Sequence, residues 1–101
     1  MNIKQSQKRP RQPHLKKVFV KVISTFDKTG YMQPQSIIWE DGRIFTIDAV
    51  TDFRPASMVH AGQLGYCYTV VIKGEPKYLF FQRGNITNRT CIGRWWVEVP
   101  A

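Results

Sequence analysis

Val18, Val20 and Val22 alternate with Phe19, Lys21 and Ile23 in a β-branched run that closes on Asp27-Lys28-Thr29-Gly30. A period of two over such residues predicts a strand that ends in a turn. Residues 36–40 and 43–50 are apolar stretches on either side of Asp41-Gly42, a dipeptide that tolerates positive φ and predicts a two-residue type I′ hairpin. In that register Glu40 faces Arg43, Trp39 faces Ile44 and Ile38 faces Phe45. Ile38, Phe45 and Ile47 then share one face, and Ile37, Trp39 and Ile44 the other. Both faces are apolar near the turn, which leaves one for the core and one for a partner or a covering segment. Ile37, Trp39 and Ile44 are the candidate protein-interaction residues.

Residues 51–65 contain Pro55, Gly62 and Gly65 and read as a loop or one helical turn. Strand character resumes at Tyr66. Residues 66–73 and 78–82 predict a second hairpin around Gly74-Glu75-Pro76, because proline cannot donate to a ladder and so marks the turn. Residues 83–93 are polar and interrupted, a long loop placed for contact. In the final strand, residues 94–99, Trp95 alternates with Val97 and Val99 against Trp96 and Glu98, which assigns Trp95 to the core and Trp96 to the outer face. Five or six short strands without an amphipathic helix predict an all-β fold, a small antiparallel barrel or bent sheet. An SH3-like barrel is the first expectation and an OB-like barrel the second.

At 101 residues the chain suits one small domain. An aromatic share of 13% supplies the large buried areas that such a domain needs. No apolar run is long enough to span a membrane, and the first residues lack the apolar stretch of a signal peptide, so a cytoplasmic protein with no membrane partner is expected. The formal net charge of +8 is unevenly placed. Residues 1–17 hold six basic side chains, Lys4, Lys8, Arg9, Arg11, Lys16 and Lys17, and no acid, whereas the other 84 residues hold nine basic and seven acidic groups. With so little to bury, residues 1–17 read as a disordered basic arm and residues 18–101 as the barrel domain. Such an arm either contacts phosphates or serves as a solubilising tail.

Catalytic chemistry finds little footing. Cys67 and Cys91 are the only cysteines and form no CxxC pair, so they read as small buried apolar residues. A four-ligand zinc site would need both of them together with His14 and His60, and no metal or cofactor is expected. Asp48, Asp52 and Glu75-Pro76-Lys77 resemble the order of carboxylates and lysine in metal-dependent nucleases, but Pro76 puts the last pair in a turn. No serine stands in a nucleophile elbow, and no glycine-rich run precedes a helix. A non-enzymatic protein is therefore expected. What remains is a cationic track and stacking platforms, the two ingredients of single-strand binding. The candidate nucleic-acid contacts are the six arm residues with Arg83, Arg89, Arg94 and Trp96. The competing reading of the aromatic residues is that they pack the core.

The segments Val18-Phe19-Val20-Lys21-Val22, Trp39-Glu40-Asp41-Gly42-Arg43, Asp52-Phe53-Arg54-Pro55 and Arg94-Trp95-Trp96-Val97-Glu98 resemble a family of small bacterial proteins with a W-E-D-G-R hairpin and a terminal R-W-[aromatic]-V-E strand. Trp39 to Arg43 is also similar to the opening of a domain found near genes of translesion DNA polymerases. The resemblance implies an accessory role in DNA repair or replication, with single-stranded nucleic acid or a protein such as a DNA polymerase as partner. It implies no activity for any residue.

Overall fold

The computed structural model describes residues 14–58, 63–84 and 91–101. Among these, seven antiparallel strands form and no helix: β1 Leu15–Phe26, β2 Met32–Ile38, β3 Ile44–Thr46, β4 Ala49–Met58, β5 Gln63–Ile72, β6 Glu75–Arg83 and β7 Gly93–Pro100. They make one sheet in the order β3-β2-β1-β7-β6-β5-β4, curled into a half-barrel. The fold is all-β and bent, as expected, but the strands number seven instead of five or six. Residues 43–50, expected as one strand, are divided: β3 ends on one edge of the sheet and β4 begins on the other.

Ile47 and Asp48 make that crossing. The Ile47 N–H donates to the Gln35 carbonyl on β2 at 2.9 Å, and the Asp48 N–H to the Val71 carbonyl on β5 at 2.8 Å. Two successive amides thus hold opposite halves of the sheet. The β1–β2 ladder skips Gln35, the acceptor of the first bond, and the β4–β5 ladder skips Thr51 in β4. Such bulges bend a strand and raise its twist, which brings the two edges round toward each other. Nearer the far end, the Tyr68 hydroxyl on β5 donates to the Met32 carbonyl on β2 at 2.6 Å.

The concave side holds the core. Ile37, Tyr68, Val70, Ile72, Leu79 and Phe81 are buried there, with Val20, Val22, Phe45, Trp95 and Val97 packed against them. All come from alternate positions of their strands, the period that puts successive side chains on opposite faces. Burying a side chain such as Leu79 stabilises by about 1.5–3 kcal/mol.

Both hairpin expectations need correction. Ile38 pairs with Ile44 and Ile37 with Phe45, while the Trp39 N–H donates to the Arg43 carbonyl at 2.8 Å and the Gly42 N–H to the Trp39 carbonyl at 2.9 Å. Glu40, Asp41 and Gly42 therefore form a three-residue loop, a tight turn followed by Gly42 at φ +93°. A type I′ turn needs positive φ at both central residues, and Asp41 is not in that region. Its carboxylate instead accepts the Arg43 N–H at 3.0 Å and pairs with the Arg43 Nε at 2.7 Å. The register slips by one residue, so Ile37, Trp39 and Phe45 share the inner face and Ile38 and Ile44 the outer. The type I′ geometry occurs between β5 and β6, where Lys73 and Gly74 have φ of 53° and 79° and Ile72 pairs with Glu75. Pro76 is not in that turn but in β6, opposite Val71. Residues 51–58 belong to a strand, not a loop. β1 begins at Leu15, which brings Lys16 and Lys17 into the sheet opposite Val99 and Glu98.

Candidate nucleic-acid interface

The convex face is laid out by the register of five strands. Phe19 on β1 pairs with Trp96 on β7, Trp96 with Phe80 on β6, Phe80 with Cys67 on β5, and Cys67 with Arg54 on β4. One row of outward side chains therefore crosses the sheet, with Lys17 and Lys21 two positions either side of Phe19 and Arg94 two before Trp96. The Trp96 and Phe80 rings stack at 4.1 Å and 12°. The Lys17 ammonium lies 4.7 Å from the Trp96 ring and 5.1 Å from the Phe19 ring, and it donates to the Gln82 Oε1. The Arg94 guanidinium lies 3.4 Å from the Phe19 ring.

This cluster is rich in donors. Trp96, though on the outer face, is only 8% exposed, and its buried indole Nε1–H meets no acceptor. The amide oxygen of Gln82 accepts from Lys17. Glu98 is the register partner of Lys17, yet the ion pairs among the described residues are Arg43–Asp41, Arg54–Asp52 and Lys77–Glu75. Lys17, Lys21 and Arg94 take part in none of them; Lys17 and Arg94 rest on aromatic faces. Cations held this way can turn to an oxyanion without first breaking a salt bridge.

Only part of the expected set converges. Lys17, Arg94 and Trp96 meet on the convex face, whereas Lys16 alternates to the concave face with Val18. Arg83 follows Phe81 by two positions and borders a cleft at one mouth of the half-barrel. Lys4, Lys8, Arg9, Arg11 and Arg89 lie outside the described residues. Trp95 points inward as expected, 5.4 Å from Tyr68 and 4.9 Å from Phe81. Phe19, Lys21, Phe80 and Gln82 escaped sequence reading, although the spacing of Lys17, Phe19 and Lys21 by two already put them on one face. Cys67 belongs to this row but is buried, and burial pushes its thiol pKa up, which disfavours the reactive thiolate.

The candidate protein-interaction residues separate. Ile37 and Trp39 line a cleft of about 740 Å³ at the other mouth, with Leu15, Ile72, Tyr78 and Val97. Ile44 stands on the convex side, 62% exposed. The cleft opens because β6 and β7 pair over only four residues, from Phe80–Trp96 to Arg83–Gly93, so the first half of β6 parts from β7. The carboxylate of Asp48, a residue of the nuclease-like order, accepts the Lys73 N–H at 3.0 Å and serves the fold. Comparison with protein-family models, curated proteins and solved structures gives no match for this chain.

Proposed function

We propose that this chain is a non-enzymatic accessory module that binds single-stranded nucleic acid across its convex face. The observation that supports this reading is the donor-rich cluster of Lys17, Arg94 and Trp96, whose cations rest on aromatic rings and not on carboxylates. A cation on an exposed ring, such as Arg94 on Phe19, gains only about 0.5–1 kcal/mol, so a phosphate competes well for it. Moving Arg94 off Phe19 would also free a ring face for a base, the combination that single-strand binders use. The basic residues Lys4, Lys8, Arg9 and Arg11 precede β1 and would extend the cationic track. A link to DNA repair or replication follows from the resemblance of the Trp39 to Arg43 hairpin and belongs to the same proposal.

The test is anisotropy of a labelled single-stranded oligonucleotide at several salt concentrations. Lys17→Gln with Arg94→Gln is expected to weaken binding and to lower the slope of log affinity against log salt by about one per removed phosphate contact. Removing residues 1–13, which leaves β1 whole, should lower it further. Equal affinity and slope in all variants overturn the reading. A second reading, a protein-interaction barrel whose tail only aids solubility, draws support from the Ile37 and Trp39 cleft and would be favoured by that outcome.

A further inference from the structure

The mouth opposite the Trp39 cleft has a different chemistry. Tyr31, Phe53, Tyr66, Tyr68 and Phe81 line a cavity of about 560 Å³, within the range that takes small ligands, and Arg83 stands at its border. The rings form a connected wall. Phe53 stacks on Tyr66 at 5.2 Å and 26°, meets Tyr31 edge-on at 5.3 Å and 80°, and lies 4.7 Å from Tyr68. Phe53 is still 39% exposed and Phe26 beside it 70%, so aromatic surface remains open to a ligand.

Arg83 is the only charged side chain among the described lining residues, and no carboxylate joins it. It takes no part in the ion pairs among the described residues. The Tyr68 hydroxyl is already given to the Met32 carbonyl, so the lining offers a ligand ring faces, the hydroxyls of Tyr31 and Tyr66 and one guanidinium. A cationic ligand would be repelled by Arg83, and a neutral apolar one would leave it unmatched. A flat heterocycle bearing an anion satisfies both features.

We propose that this mouth takes one nucleoside monophosphate unit, its base against Phe53, Tyr31 and Tyr66 and its phosphate on Arg83. The inference deepens the nucleic-acid reading and rests on it for the source of the unit, either a free nucleotide or a residue of the bound strand. The full chain would be titrated with thymidine monophosphate, thymidine and a ten-nucleotide oligothymidylate, followed by tryptophan fluorescence, since Trp95 packs on Tyr68 and Phe81.

Arg83→Gln, at an exposed position, is expected to weaken the monophosphate about tenfold and leave thymidine unchanged. Phe53→Leu, checked for its melting temperature, should weaken both. If the strand supplies the unit, Arg83→Gln also weakens the oligonucleotide; if the free nucleotide is the ligand, the oligonucleotide is unaffected. Monophosphate binding that depends on Arg83 with no oligonucleotide binding keeps this site and overturns the convex-face reading. The inference is overturned if the monophosphate does not bind, or binds equally to all three proteins, even where Lys17→Gln and Arg94→Gln still weaken the oligonucleotide.

Discussion

Lys17 on β1 reaches over β7 to hydrogen-bond Gln82 on β6, and its ammonium comes to lie 4.7 Å from the Trp96 ring that it passes. One side chain thereby joins three strands on the convex face and covers an indole that alternation alone would leave open to solvent.

That cover changes what Trp96 does for stability. Stacked on Phe80 at 4.1 Å and 8% exposed, Trp96 is a structural residue as well as a surface one. Trp96→Ala is expected to cost about 3–5 kcal/mol in urea unfolding, as for a core aromatic. Trp96→Phe keeps a ring against Phe80 and removes the unpaired N–H, whose burial costs about 1–3 kcal/mol, so it should stay within about 1.5 kcal/mol of the parent. Equal losses for the two variants would show that the stack does not hold the ring.

The two hairpin loops predict opposite responses. Gly42 sits at φ +93° with open space around it, so Gly42→Val meets backbone strain and not a clash, at about 1–3 kcal/mol. Lys73 has a φ of 53°, the one positive value on a non-glycine residue among those described. Lys73→Asn should gain about 0.5–1 kcal/mol, since asparagine tolerates that region better. Thermal melts of both variants check the signs.

How much of this was legible in the sequence depends on the prolines. Read as breakers, Pro55 and Pro76 made a loop and a turn of segments that are strands, and Pro34 too lies within a strand. Each sits where a neighbouring strand is missing on one side. β3 covers β2 only at residues 36–38, β4 is an edge strand, and β6 has parted from β7 at Pro76. A proline tolerated for that reason looks the same in sequence as one that ends a strand. The inward set Val20, Val22, Trp95 and Val97 was legible because alternation is local. The meeting of Lys17, Gln82, Arg94 and Trp96 was not, because it depends on the register of β1, β7 and β6, fixed only when the sheet closes.

The β1–β2 turn carries a pH signature. The hydroxyl and N–H of Thr29, with the N–H of Tyr31, donate to the Asp27 Oδ1. Donation from the Thr29 side chain is the largest of the effects holding the Asp27 pKa below its ordinary 3.8. A carboxyl whose folded pKa is depressed contributes stability above its unfolded value and loses it as pH falls through the folded one. Thr29→Val should raise the Asp27 pKa in an NMR titration, and the stability gap between the proteins should close in acid. An Asp27 that already titrates at its ordinary value would contradict the turn geometry.

The convex face predicts a charge-specific response as well. Lys17→Arg keeps the cation and should retain most oligonucleotide affinity, whereas Lys17→Gln should lose it and flatten the salt dependence by about one contact. Anisotropy at two ionic strengths separates the outcomes, and equal losses in both variants would mean that Lys17 matters only as the packing cover of Trp96.

The short ladder between β6 and β7 divides the sheet into two leaves, β3-β2-β1-β7 and β6-β5-β4. Four paired residues form the spine of this book, against eight between β5 and β6 and nine between β4 and β5. Opening of the spine would spread the concave side and both of its mouths together. The Lys17 to Gln82 bond and the Trp96 to Phe80 stack lie across this spine on the outside, like a clasp. A strand of nucleic acid that engaged Lys17 would therefore be acting on the clasp, and amide exchange at residues 80–83 would register whether the book had been loosened or shut.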